Sequence, residues 1–153
     1  MMYCKARLFK DEYVAQKIIE LNNQEKNILA KYAKGILSRE AILQNVTLKK
    51  EWDKQQKKIK SFGRDVRNYK EEVWVKYRVN YVSVGNYAKF TQNENLKQKL
   101  LSTGNTILAE SNPYDKIWAI GIYENEKNAN TPSKWKGMNL LGKILTELRN
   151  NLR

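Results

Sequence analysis

The sequence has 153 residues, a formal net charge of +13, and a composition that is 41% hydrophobic and 10% aromatic. A chain of this length is long enough to bury one hydrophobic core, and its aromatic content is too high for a disordered chain. It has no apolar run near the ~20 residues of a membrane span, and one cysteine with no histidine excludes an internal disulfide and a His-ligated metal.

Helical patterns fill the first two thirds of the chain. Apolar residues recur at helical spacing from Asp11 to Leu21. The most basic segment, from Thr47 to Phe62, also contains a thin apolar stripe at helical spacing. The longest helical pattern extends from Tyr69 to Phe90 and is followed by a short one over 94–101. The residue types at the ends of these patterns predict Ser38, Thr47 and Asn93 as N-caps and Gly35 as a C-cap.

The last third of the chain is more mixed. Residues 106–110 and 117–123 are predicted to be two short strands, and the turn residues around Pro113 separate them. Asn139 is the predicted cap of a final helix that ends at Leu152 and carries a stripe of core-facing leucines. We therefore expect one domain over residues 1–153, mainly α with a small β component, in the α+β class.

The net charge and the lone Cys4 indicate the compartment of the protein and the kind of partner that it binds. A single cysteine is typical of a reducing compartment, so we expect a cytoplasmic protein that does not associate with a membrane. The net charge of +13 favours polyanionic or phosphorylated partners, DNA among them. A solvated lysine-rich surface explains the same charge equally well, because most of the lysines are spread along the chain.

Several short motifs follow one another in an order that resembles the NADAR (YbiA-like) family. Trp74 and Arg78 stand four positions apart within this series, as in the family pattern. The other motifs, in chain order, are MMYCKARLF, GRDVRNY, AKFTQN, LLSTGNTILAES, PYDKIWAIG and WKGMNLLGKIL. The resemblance implies a single-domain YbiA-like fold and an enzyme that cleaves N-glycosidic bonds to ribose, without a metal or redox cofactor.

The sequence departs from the family pattern at its beginning. Family members carry a strand-rich stretch that ends in a glutamate shortly before the paired methionines, and this stretch is absent from the sequence, which starts at Met1. Three explanations stay open: the gene product is naturally short, the start codon is misassigned, or a partner chain supplies the missing stretch. The missing glutamate puts catalytic competence in question.

Three residues are candidates for catalysis. Cleavage of a ribosyl C–N bond builds positive charge on the sugar and needs a proton on the leaving nitrogen, and paired carboxylates meet both needs. The resemblance assigns these roles to Glu110 and Asp115; a turn cap for Asp115 and an ion pair for Glu110 remain alternatives. Lys5, in an apolar helix start, is the candidate for a Schiff base if it is buried, and a snorkelling surface lysine otherwise.

Six further residues are candidates for binding substrate. Cationic side chains suit phosphate or pyrophosphate, and neutral amides suit a base or ribose hydroxyls. An indole can stack on the leaving base, although the same tryptophan can be a core residue and the asparagine only a helix cap. The candidates are Arg64, Arg78, Lys89, Gln92, Trp118 and Asn139.

Two substrate classes follow from the resemblance, namely ribosylamino-pyrimidines of riboflavin synthesis and ADP-ribose attached to guanine in DNA. The charge favours DNA, because a DNA substrate rewards spread positive charge. A module that binds ADP-ribose or nucleic acid without catalysis is the alternative from another class. A plain nucleic-acid-binding helical domain is a third hypothesis.

Overall fold

The structure is a computed structural model that describes residues 2–24, 27–33 and 35–153. Their contacts divide the chain into two compact units, Met1–Trp74 and Val75–Arg153. The prediction of a single domain over 1–153 stays a prediction. Within the described residues, no helix combines the length and apolar character needed to cross a membrane.

The first unit is built from helices. They are α1 (Met2–Leu8), α2 (Glu12–Asn23), α3 (Ile28–Ala33), α4 (Arg39–Gln44), α5 (Val46–Phe62) and the first turn of α6 (Glu71–Thr91). Helix α2 contacts α1, α3 and α5, and its apolar stripe supplies four buried residues, Val14, Ala15, Ile18 and Leu21. The helical spacing of these side chains places them on one face, which explains why the segment folds as an amphipathic helix.

Asp11 joins the start of α2 to the loop that precedes α6. Its Oδ1 accepts the Val14 amide at 3.2 Å as the N-cap, and Arg67 reaches both carboxylate oxygens, with Nη2 at 2.8 Å from Oδ1 and Nε at 3.1 Å from Oδ2. The Arg67 amide also donates to Oδ2 at 2.8 Å. The Arg67 guanidinium holds the pKa of this buried carboxyl well below its usual range.

The second unit contains the rest of α6, α7 (Glu94–Leu101), a 3₁₀ turn α8 (Pro132–Lys134) and the last helix, α9 (Leu140–Asn151). Its core is formed by Phe90, Leu100 and Leu148, with four partly buried leucines packed against them. Arg149 is 2% exposed, and its Nη1 donates to the Thr103 hydroxyl and the Thr106 carbonyl. These bonds fasten α9 to the turn that follows α7.

Most helices lie where the sequence predicts them, but the predicted caps at Thr47, Asn93 and Asn139 differ. Ser38 accepts the Ala41 amide at 3.0 Å, which confirms that cap, and Gly35 adopts the left-handed conformation expected of a C-cap. The predicted cap at Thr47 is wrong. Helix α5 already begins at Val46, and Asn45 caps it by accepting the Leu48 amide. Asn93 occupies the N-cap position of α7 without a capping side-chain hydrogen bond.

The predicted β component is wrong, because the described residues contain no strand. Residues 106–110 are joined to 117–123 by one backbone hydrogen bond, from the Ile120 amide to the Glu110 carbonyl at 2.9 Å. The carbonyls of 116–120 instead accept amides of residues 136–141. Because residues 136–141, which lead into α9, take up these acceptors, the two segments cannot form the ladder that a sheet requires. Over the described residues the fold is therefore helical.

Candidate active site

Asn139 is the structural centre of the candidate site in the second unit. Its side chain is buried, with Nδ2 donating to the Leu108 carbonyl at 2.8 Å and Oδ1 accepting the Glu110 amide at 3.1 Å. Its own amide donates to the Ala119 carbonyl at 3.0 Å. One residue therefore holds two distant segments of the chain against the start of α9. We call Asn139 and these three bonds the Asn139 network.

The side chain of Asn139 takes the place of a neighbouring strand. It offers one donor and one acceptor to residues 108 and 110, as a paired backbone would. Its φ of 50° is left-handed, a conformation that asparagine tolerates better than most residues. Although it occupies the N-cap position of α9, its side chain does not cap that helix. The predicted contact of Asn139 with substrate stays a prediction.

Glu110 combines a fixed backbone with an exposed side chain. Its amide donates to Asn139 and its carbonyl accepts from Ile120, so the protein binds the main chain on both sides. The alternative of an ion pair with lysine or arginine is not observed among the described residues. This carboxylate is therefore presented to solvent from a firmly held backbone.

Asp115 closes the turn that follows Pro113. Its Oδ1 accepts the amides of Ile117 and Trp118, at 2.9 and 2.8 Å. The turn-capping alternative for Asp115 is thus present in the structure. These bonds fix the orientation of the carboxylate, and they engage one of its two oxygens, so they do not oppose a chemical role for the other.

The start of α9 supports this turn as well. The amides of Leu140 and Leu141 donate to the carbonyls of Ile117 and Trp118 at 3.1 and 3.2 Å. Helix N-termini leave such amides unpaired and often bind anions with them, but here the turn satisfies both. Gly137 allows the close approach, because a Cβ there would collide with the Ala119 carbonyl oxygen. The backbone of Glu110 and the turn that Asp115 closes are therefore fastened to one helix end.

Two tyrosines flank this turn and were not singled out by the sequence analysis. The hydroxyls of Tyr114 and Tyr123 lie 3.0 Å apart, and their rings meet edge to face at 6.4 Å. The hydrogen bond to Tyr114 raises the pKa of Tyr123. An aromatic residue on each side of a turn is the sequence pattern that could have identified these two tyrosines. Trp118, the predicted stacking residue, lies between the two tyrosines in the sequence, and its side chain is half-buried.

The remaining predicted binding residues of the second unit lie on or just after α6. Arg78 is buried, whereas Lys89 is exposed with its ammonium 5.1 Å from the Phe90 ring centre, and Gln92 follows the helix end. Arg78 and Lys89 are eleven residues apart, which is about 16 Å at 1.5 Å per residue of helix. The binding of phosphate by Arg78 and Lys89 stays a prediction.

Lys5 lies in the first unit in a partly buried position. Its Nζ donates to the Gly63 carbonyl at 2.6 Å and lies 4.1 Å from the centre of the Tyr69 ring. Burial lowers the pKa of the amine, and the charge of Glu71 opposes this effect. The environment matches the buried rather than the snorkelling interpretation. Arg64, which follows Gly63 in the chain, is exposed.

Comparison with known proteins assigns the chain to a family. The sequence model of the NADAR domain matches residues 29–153, so this chain belongs to the NADAR domain family. The first of the recognised motifs, which contains Lys5, precedes the matched range, and its first residue lies outside the described structure.

Two curated proteins are similar to the chain. A protein of Acanthamoeba polyphaga mimivirus that is named an N-glycosidase is 45% identical over 92 residues, which are 60% of this chain and 54% of that protein. Protein irg-1 of Caenorhabditis elegans is 28% identical over 145 residues, 94% of this chain and 66% of that protein. The alignments thus cover less than two thirds of the length of either relative.

Proposed function

We propose that this chain is an N-glycosidase, which hydrolyses the C–N bond between ribose and a base in a phosphorylated ribosyl or ADP-ribosyl compound. Its family and the name of the mimiviral relative support this class of reaction. The observation that carries the proposal is the Asn139 network, which fixes the backbone of Glu110 and leaves its carboxylate exposed.

The two carboxylates divide the chemistry of the reaction between them. As the C–N bond breaks, one stabilises the developing positive charge on the sugar or activates the attacking water. The other gives its proton to the leaving nitrogen. Asp115 has one oxygen held by two backbone amides, whereas the side chain of Glu110 extends into solvent. Trp118, next to the Asp115 turn, is our candidate for stacking on the leaving base.

The charge of the chain supports a nucleic-acid substrate. A net charge of +13 attracts the phosphates of DNA over a longer range than it attracts a small phosphorylated metabolite, because DNA presents a continuous row of charges. We therefore propose ADP-ribosylated guanine in DNA as the first substrate to test, and a ribosylamino-pyrimidine phosphate as the second.

The amine of Lys5 adds a separate hypothesis about the route of cleavage. After the ribose ring opens, the amine adds to C1, the base leaves with a proton, and water hydrolyses the resulting imine to release the sugar and restore the amine. Burial lowers the pKa of Lys5, which favours the neutral amine that this addition needs. Borohydride added during turnover should reduce the imine and trap sugar on Lys5; turnover that leaves Lys5 unmodified would exclude this route.

The proposed activity is tested by incubating the purified chain with an oligonucleotide that carries ADP-ribosylated guanine, and in parallel with a ribosylamino-pyrimidine phosphate. Mass spectrometry follows release of the sugar. Glu110→Gln and Asp115→Asn should each abolish release, whereas Glu124→Gln, at an exposed glutamate outside the Asn139 network, should retain it. Equal release by all variants would show that the two carboxylates are not catalytic, and ADP-ribose binding without any release would identify a binding module.

A further inference from the structure

Helix α5 carries two chemically different faces. Leu48, Trp52 and Ile59 are partly buried on one side, together with the buried Gln55. Lysines occupy the other side at positions that are four, seven and eight residues after the first, a spacing that places them on one helical face. This basic stripe consists of Lys50, Lys54, Lys57 and Lys58, all of which are exposed.

The two acidic residues of α5 form no ion pair with the basic stripe, although Glu51 lines one cavity with Lys54 and Lys58. Asp53 pairs with Lys49 at 3.2 Å, and Glu51 accepts a hydrogen bond from Gln55 at 3.0 Å. Within the described ranges of the chain, the four lysines of the stripe take part in no ion pair. Their charges are therefore available to an anionic partner.

The dimensions of the stripe suit the backbone of a double helix. Lys50 and Lys58 are eight residues apart, so the stripe is about 12 Å long at 1.5 Å per residue. One DNA strand carries a phosphate about every 3.4 Å along the axis, so several phosphates fall within reach of the four flexible side chains.

The composition of the same face distinguishes duplex from single-stranded DNA. Proteins that bind single strands combine positive charge with aromatic rings on which bases stack. Apart from Phe62 at its end, α5 has one aromatic residue, Trp52. Trp52 packs edge to face on Tyr32, with ring centres 5.2 Å apart, and lies off the basic stripe. The stripe therefore offers charge without a stacking surface.

We propose that the basic stripe of α5 binds the phosphate backbone of duplex DNA without reading its sequence. This inference does not depend on the glycosidase activity, because the stripe is remote in sequence from both candidate carboxylates and needs no modified base. It assigns to α5 the task of holding the protein on DNA through several weak contacts.

The test measures binding of a fluorescent, unmodified DNA duplex, and of one of its strands alone, by anisotropy over a range of salt concentrations. One variant replaces the four lysines of the stripe by glutamine. A control variant replaces four exposed lysines elsewhere, Lys70, Lys99, Lys127 and Lys134, and so lowers the net charge equally. Circular dichroism establishes that both variants keep the helical content of the wild type.

The stripe variant should bind at least about tenfold more weakly, and the slope of log K against log salt should fall by about 3.6, at 0.9 for each lost phosphate contact. The control variant should change the slope much less. Equal losses in the two variants would assign binding to net charge alone, and an unaffected stripe variant would remove α5 from the interface. A stronger loss for single-stranded than for duplex DNA would overturn the choice of duplex.

Discussion

The side-chain oxygen of Asn139 accepts the backbone amide of Glu110 at 3.1 Å, and so a buried amide near the end of the chain fixes the main chain of a candidate catalytic residue. The two residues are 29 positions apart in sequence. This bond and its companion to Leu108 require a side chain with one acceptor and one donor. Asn139 is accordingly the residue on which the geometry of the site depends most.

Asn139→Asp should destabilise the protein by about 1–3 kcal/mol at neutral pH, because the new carboxylate oxygen faces the Leu108 carbonyl without a proton to donate. The Leu108 carbonyl favours the protonated aspartate, which raises its pKa in the folded protein, so the difference from wild type should shrink as the pH falls from neutral towards the unfolded pKa of about 3.9. Urea denaturation at several pH values measures this difference. A variant that is as stable as wild type at pH 7 would contradict the role of the Nδ2 donor.

Asp11→Asn should reduce stability at neutral pH and should make stability less sensitive to acid. The pKa of Asp11 is lower in the folded protein than in the unfolded chain, so its contribution is present above the unfolded pKa of about 3.9 and is lost as the pH falls through the folded value. Wild type and variant should therefore converge in acid. Thermal unfolding between pH 7 and pH 2 checks this, with Asp53→Asn, which removes an exposed ion pair, expected to follow wild type throughout.

Gly137→Ala and Gly85→Ala should change stability in opposite directions. A Cβ on Gly137 meets the Ala119 carbonyl oxygen and the Ile120 backbone, and this crowding should cost about 1–3 kcal/mol. Gly85 lies inside α6 with open space around its Cβ direction, so alanine should stabilise the helix by about 0.5–1 kcal/mol. Chemical denaturation of both variants is sufficient, and a stable Gly137→Ala protein would show that the turn can move away from α9.

Lys5 should lose its proton at a lower pH than the exposed lysines do. Burial beside Gly63 and Tyr69 disfavours the ammonium form and lowers its pKa from the usual value of about 10.4. NMR titration of lysines carrying ¹³C-labelled methyl groups measures each midpoint, and Lys5→Arg identifies the Lys5 signal. A midpoint that coincides with those of exposed lysines such as Lys99 would contradict this assignment.

The helices were accessible from the sequence because their signals are local. The apolar spacing of α2, the serine before α4 and the limits of α7 all lie within a few residues of the structure they specify. The cap of α5 was misplaced because both Asn45 and Thr47 are suitable cap residues, and the asparagine two positions earlier forms the bond.

The prediction of two strands was wrong because of long-range contacts, which no local sequence pattern contains. Residues 106–110 and 117–123 have strand-like composition, but their hydrogen-bonding groups are taken by Asn139 and by the amides that open α9. These contacts join residues up to 31 positions apart. The site residues Glu110 and Asp115 came from resemblance to a family, and composition and spacing alone would have left their roles open.

The loop between Ile120 and Lys136 has a practical consequence for protein engineering. The Ile120 carbonyl accepts the amides of both Lys136 and Gly137 at 2.9 Å, so the chain leaves this point and returns to it. Additional residues placed after the exposed Asn125 would replace the turn bonds between Tyr123 and Glu126 and lengthen the excursion, at an entropic cost of about 0.6 kcal/mol for each doubling of loop length. This position is therefore suited to an inserted fluorophore or affinity tag that leaves the Asn139 network intact.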